Sequence, residues 1–198
     1  KKRGNQGILH RNRIALRLPF FWNVFERAQA LDVPIYLHPS YPLKPVVDAY
    51  YADYVKAFPS LLNAGWGFTV ETATAVIRLI LSGVFTKYPD VKCIVGHLGE
   101  GLPFLLWRID QALSRPGQEG VKFRETFCKN FWLTCSGNFS TPALLCCMQE
   151  LGMDRLMFSL DYPYVDNEDG IDWVKTLQIN ETDLRKFMHA NAQKILKI

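Results

Sequence analysis

The sequence predicts an α/β fold built on a parallel sheet, and three observations carry that expectation. Segments with helical apolar spacing alternate with short β-branched or aromatic runs, in the order helix, strand, helix, strand, helix, strand, helix, strand, helix. Such alternation implies right-handed crossovers, in either a doubly wound sheet or a (β/α) barrel. The run Val91-Lys92-Cys93-Ile94-Val95 is apolar with little alternation, as a strand covered on both faces requires. Glycines, histidines and carboxylates then gather where such runs end, most densely in Gly96-His97-Leu98-Gly99-Glu100-Gly101.

Taken in order, residues 1–18 are basic and aperiodic and read as an irregular or cut edge. From Pro19 to Leu31, Val24, Ala28 and Leu31, with Phe21, Trp22 and Phe25 beside them, give a helix one broad buried face, and Asp32 ends it. Val33 to Pro39 is a short buried strand with His38 at its C-terminal end, where Pro39 stops the ladder. Ser40 to Phe68 is rich in proline and aromatics without clean periodicity, the character of a lid or binding wall. Glu71 to Leu81 returns to helical spacing and places Gly83 at C′; the central strand follows and ends at His97.

Leu102 to Leu113 reads as a helix carrying Trp107, Arg108 and Asp110, and Ser114 to Gly120 as a polar loop. Phe131 to Gly137 is a third strand. Thr141-Pro142 reads as an N-cap and N1 pair opening a helix that Gly152 closes. Arg155 to Leu160 is a fourth strand that delivers Asp161, and Asn180 caps a last helix with Leu184, Phe187, Met188 and Ile195 on its apolar face.

With 198 residues, 48% of them hydrophobic and 21% charged, the chain is long enough for one domain with a sizeable core. The net charge of +4 has no aromatic-interleaved basic stripe behind it, which argues against a nucleic-acid partner. No apolar run approaches the roughly 20 residues that cross a bilayer, and the basic start lacks a signal-peptide cleavage site. Five cysteines without metal-ligand or framework spacing read as reduced thiols, hence a cytoplasmic expectation. No G-x-G-x-x-G follows any strand, which disfavours a dinucleotide site.

Three of the four strands end in His38, His97 or Asp161. In a parallel sheet these ends share one face, where barrel enzymes draw catalytic groups from several strands. Two imidazoles and a carboxylate suit Zn²⁺ or another divalent ion, and an unligated member could shuttle protons. Glu100 either orients His97 or complements a helix N-terminus. His10 and His189 are poorer candidates, the one in the aperiodic start and the other in the terminal helix.

Leu37-His38-Pro39, Gly96-His97-Leu98-Gly99-Glu100-Gly101-Leu102-Pro103, Leu106-Trp107-Arg108-Ile109-Asp110, Ser136-Gly137-Asn138-Phe139 and Phe158-Ser159-Leu160-Asp161-Tyr162-Pro163 form an ordered set. It resembles the metal-dependent decarboxylase branch of the amidohydrolase superfamily, which includes the aminocarboxymuconate semialdehyde, γ-resorcylate and dihydroxybenzoate decarboxylases. The resemblance implies a (β/α)₈ TIM-type barrel, with these four strands as roughly its C-terminal half. It implies His38 and Asp161 as metal ligands, His97 as acid/base with Glu100 beside it, and Arg108 at the site. It implies a divalent ion, Zn²⁺ first, with Mn²⁺ or Mg²⁺ as alternatives. The family's opening Glu-x-His or His-x-His strand has no counterpart, since Ile8-Leu9-His10 is not that motif, so the expectation is that an N-terminal half is missing from this sequence.

The function expected on this basis is non-oxidative decarboxylation of an aromatic or enol-type carboxylic acid by a homo-oligomeric enzyme. Trp66 and Phe68, in the aromatic segment, suit a planar substrate. Metal-dependent hydrolysis of a lactone or amide, and an inactive truncated fragment, are the alternatives.

Overall fold

Four short strands, β1 (Ile35–Leu37), β2 (Cys93–Val95), β3 (Phe131–Thr134) and β4 (Leu156–Met157), lie side by side in that order with every neighbouring pair parallel. The register aligns Tyr36 with Ile94 and Ile94 with Trp132, so side chains of successive strands fall into rows across the sheet. The computed structural model describes residues 21–117 and 120–198. The basic first stretch, His10 and the start of the first expected helix lie outside the described residues.

The two faces of the sheet differ. On one face Ile35, Leu37, Cys93, Val95, Phe131, Leu133 and Leu156 join a continuous core with helices α1 (Trp22–Leu31), α3 (Gly67–Leu81), α5 (Leu102–Leu113), α6 (Phe123–Asn130) and α7 (Thr141–Leu151). The alternation of strand side chains turns Tyr36, Ile94, Trp132 and Met157 to the other face. There a small cluster of Ile94, Met157 and Ile195, with Trp132 and Ala192 against it, is supplied by the last helix, α10 (Asn191–Leu196). A doubly wound sheet has a full helical layer over each face, whereas here, among the described residues, α10 is the helix in the cluster on the second face and the main layer covers the first, as in a barrel. The described residues therefore form an arc of a (β/α) barrel.

The helical layer departs from the expected elements at several points. The supposed loop 40–68 contains α2 (Lys44–Tyr50) and a 3₁₀ turn at Pro59–Leu62, and α3 begins at Gly67, four residues before Glu71. A proline near the start of α2 and another at the start of the 3₁₀ turn suit first-turn positions, where no N–H bond is lost. Short helices also stand at α4 (Val84–Lys87), α6 and α8 (Asn167–Thr176). In α6 the buried apolar stripe is just Phe123 and Phe127, too brief for periodicity to reveal.

The N-cap of α7 is Ser140, whose hydroxyl accepts from the Ala143 N–H, so Thr141 and Pro142 are its first two residues. Thr141 is used otherwise: its hydroxyl accepts from Trp173 Nε1 at 3.0 Å. Gly83, Gly152 and Asn180 stand where expected, in the C′ conformation, closing α7 and capping α9 (Glu181–Arg185). Between α9 and α10 the helix widens into a π turn at Lys186–Ala190. No helix among the described residues is long and apolar enough to cross a membrane.

Buried amides hold the short strands in place. Asn130 Nδ2 donates to the Pro89 and Val91 carbonyls, and Asn191 Nδ2 donates to the Met153 and Leu156 carbonyls at 2.7 and 2.8 Å. An Asn191→Ala substitution removes two buried hydrogen bonds, although the Met153 carbonyl keeps the Leu156 N–H, so urea unfolding should show a loss of roughly 1–3 kcal/mol.

Candidate active site at the strand ends

After β2 the chain makes a left-handed turn. His97, Leu98, Gly99, Glu100 and Gly101 have φ of 50°, 55°, 79°, 54° and 76°. Each non-glycine residue in that region costs about 1–2 kcal/mol, so such a run persists only where the surroundings over-determine it. Here Leu98 is buried in the core, the Gly99 N–H donates to the Gly96 carbonyl, Asn138 Nδ2 donates to the His97 carbonyl and the Cys147 thiol to the Leu98 carbonyl. Gly96 itself has ordinary φ. A Cβ there would meet the Ser136 side chain at 3.3 Å and the Tyr36 hydroxyl at 3.4 Å, so its role is close approach.

The turn folds Glu100 back under His97. Glu100 is 3% exposed, and its Oε1 accepts from His97 Nδ1 at 2.7 Å. A carboxylate on Nδ1 fixes the tautomer and points Nε2 outward, where it stands 4.0 Å from Asp161 Oδ2. Burial alone would lower the His97 pKa. The hydrogen bond and charge of Glu100, reinforced by Asp161, outweigh burial and hold the imidazole above its ordinary value.

Asp161 arrives from beyond β4, two strands from β2, on side-chain bonds, since β4 ends at Met157 and the expected strand to Leu160 does not continue. The Phe158 N–H turns to the Phe187 carbonyl. Ser159 is bound to β3 instead: its N–H donates to Cys135 Sγ, its hydroxyl accepts from the Ser136 N–H, and its carbonyl accepts from the Cys135 thiol. Asp161 then takes a φ of 76° close to Gly137, where any Cβ would come within 2.7 Å of Val165. Burial pushes the Asp161 pKa up, against the opposing pull of His97 and His38.

His38 stands just beyond β1. Its Nδ1 lies 2.8 Å from the Pro39 carbonyl, which can only accept, so Nδ1 carries the proton and the lone pair sits on Nε2, the arrangement of a metal-ligating histidine. His38, His97 and Asp161 thus share the C-terminal end of the sheet. The donors, an imidazole from His38 and a carboxylate from Asp161, are of the type that suits a borderline divalent ion. Among the described residues, no group of three or more such side chains closes on one point.

The remaining expected site residues are placed unevenly. Phe68 is half-buried in the first turn of α3, its ring edge-on to Tyr41 at 5.2 Å. Trp66, just before α3, is 52% exposed. Arg108 is on the exposed side of α5, and no contact with the cluster is found for it among the described residues. His189 is exposed beside Gln193.

Four further residues, Thr69, Tyr36, Thr134 and Ser136, join the site. Thr69 donates to Glu100 Oε2 at 2.8 Å. The Tyr36 hydroxyl lies 2.9 Å from Thr134 Oγ1, and Ser136 also bonds to the phenol, whose pKa burial raises against those bonds. Strand alternation could have flagged Tyr36 and Thr134 as sharing the inner face; for Thr69 no sequence signal exists.

Residues 7–198 match the Amidohydrolase family model. The chain belongs to the amidohydrolase family. Among its relatives, the γ-resorcylate decarboxylase of Polaromonas sp. (strain JS666) is 40% identical over 203 residues, covering 97% of this chain and 60% of that protein. The solved structure of a dihydroxybenzoic acid decarboxylase from Polaromonas sp. JS666, with bound manganese and the inhibitor 2-nitroresorcinol, superimposes with a TM-score of 0.83 at 40% identity. It covers 92% of this chain and 55% of that one. A 2,6-dihydroxybenzoate decarboxylase complexed with 2,6-dihydroxybenzoate gives a TM-score of 0.84 at 36% identity, covering 92% and 56%. This amidohydrolase chain therefore lies in the decarboxylase branch and spans about 53–60% of the length of the first curated relatives it matches.

Glu100→Gln removes one of the contributions that oppose burial at His97, the charge, while keeping an acceptor in place. The His97 ring resonances, followed by NMR against pH, should then titrate at a lower pH than in the wild type.

Proposed function

We propose that the protein carrying this chain is a metal-dependent, non-oxidative decarboxylase of an aromatic carboxylic acid of the dihydroxybenzoate type. The observation that carries this reading is the His97–Glu100 pair at 2.7 Å, with Nε2 presented to Asp161 at the strand ends. The names and ligands of the relatives supply the substrate class.

Decarboxylation needs a proton delivered to the carbon that bears the carboxylate. The C–C bond then breaks, its electron pair returns to the ring, and CO₂ leaves. His97, whose protonated form Glu100 favours, is the proton donor. Asp161, whose partly buried carboxyl is held above the ordinary carboxylate range, faces the same space and completes the acid/base machinery. His38 and Asp161 would hold the divalent ion, with further ligands coming from outside the described residues. When bound, that ion supplies Lewis-acid polarisation and an anchor for the substrate's oxygens. Zinc suits the donors chemically, and manganese is the ion named with a solved relative. Phe68 and Trp66 are proposed as walls for the planar ring, while Arg108 stays outside this reading.

In the full protein, His97→Asn should retain metal and fold while kcat drops roughly 10²–10⁴-fold with little change in KM. Wild-type kcat should decline as pH rises through a value above the ordinary imidazole pKa, because the protonated ring is the active form, and the variant should lack that limb. CO₂ release without uptake of water separates this chemistry from hydrolysis.

His38→Ala should abolish most divalent-ion binding, read by elemental analysis of the purified protein, because losing one ligand unpairs the rest. The same measurement on wild type identifies the ion and distinguishes an active protein from an inert fragment.

A further inference from the structure

We infer that Thr69 is a positioning residue for the acid/base pair: its hydroxyl, donated to Glu100 Oε2 from the first turn of α3, sets the direction in which His97 points. The inference rests on the reading of His97 as the proton-transferring group and extends it to a helix that contributes no acid or base of its own.

The geometry is that of a three-membered chain. Thr69 Oγ1 donates to Glu100 Oε2 at 2.8 Å, and His97 Nδ1 donates to Glu100 Oε1 at 2.7 Å, so each carboxylate oxygen has its own donor. Glu100 is 3% exposed, leaving little water to replace either donor. Were Oε2 left without a donor, the carboxylate could turn about its terminal torsion, which is broad and two-fold for glutamate. Oε1 would then move away from Nδ1. The imidazole would lose the bond that aims Nε2, in a reaction where misplacement by about 1 Å can cost 10²-fold.

The fold has fixed Thr69 for this contact. Gly67 opens α3 directly against Leu62, where a Cβ would fall 2.4 Å from the Leu62 carbonyl oxygen, so the start of the helix is seated on the preceding turn. The Phe68 N–H donates to the Asn63 carbonyl, and the Thr72 hydroxyl donates back to the Phe68 carbonyl. The Phe68 ring packs on Tyr41. Thr69 is thereby anchored on both sides, and the positive end of the α3 dipole lies within one side chain of the carboxylate. Segment 40–68, through this seating, reaches the acid/base pair without contributing an acid or base of its own.

The test uses the full-length metal-loaded protein and compares Thr69→Val, which keeps shape and loses the hydroxyl, with Thr69→Ser, which keeps the hydroxyl. The expected result is a fall in kcat of about tenfold in Thr69→Val, about 1.4 kcal/mol of barrier, with KM and metal content unchanged and kcat largely restored in Thr69→Ser. Wild-type kcat in Thr69→Val, or equal loss in both variants, overturns the inference. Thr69→Ala against Thr69→Ser gives the same discrimination should the valine variant not fold. His97→Asn measured alongside separates the two readings: normal kcat there defeats the acid/base assignment itself, whereas a large loss there with none in Thr69→Val defeats only the role of Thr69.

Discussion

The 2.7 Å bond between His97 and Glu100 exists because the chain after β2 turns left-handed for five residues. That path brings Glu100, three positions on, back under the imidazole. The left-handed path is costly for His97, Leu98 and Glu100, and the cost is offset by burial of Leu98 in the outer core and by donors placed on the turn's own carbonyls. Asn138 and Cys147 come from the segments that follow β3, so the site's geometry depends on the correct docking of a neighbouring βα unit. Stability and function are therefore coupled at this turn: the contacts that hold the strained backbone are also those that aim the imidazole.

A second dependence runs across the sheet. Gly96 lacks a side chain, and the Tyr36 hydroxyl passes close by it to reach Thr134 two strands away. Beyond β4, Cys135 and Ser136 hold Ser159 by side-chain and mixed bonds in place of a continued ladder. Regular strand pairing thus stops below the level of the site and is replaced there by hydroxyls and thiols. Such groups can orient Asp161 at a positive φ that a regular strand would not permit.

The outer face of the sheet is closed by one continuous helical core, while the inner face among the described residues is thinly covered. Tyr36 is 40% exposed there, and Arg155 lies across the Trp132 ring at 4.0 Å, with Nη1 buried and unpaired among the described residues. The chain spans little more than half of the relatives it superimposes on. His38 and Asp161 belong to that same sparsely covered end, which accords with a metal site whose donors are not all found among the described residues.

The existence and order of the strands were legible in the sequence because a buried parallel strand needs an unbroken apolar run, whereas their ends were not: β3 stops at Thr134 and β4 at Met157, short of Gly137 and Leu160. Val91 to Val95 with His97, and the positions of Asp32, Gly83, Gly152 and Asn180, follow from such local chemistry. Helices α2, α6 and α8 were not legible: each is ten residues or shorter, and tertiary packing, rather than a repeating apolar stripe, stabilises it. The expected cap at Thr141 fell one residue late because Ser140 and Thr141 are chemically equivalent caps, and the choice was made by Trp173, 32 positions away. Local sequence thus determined which acid/base groups reach the strand ends. Tertiary structure decided which of them meet: the left-handed turn that pairs His97 with Glu100, and the early start of α3 that brings Thr69 to the same carboxylate, both depend on contacts between residues distant in the chain, which no local pattern encodes.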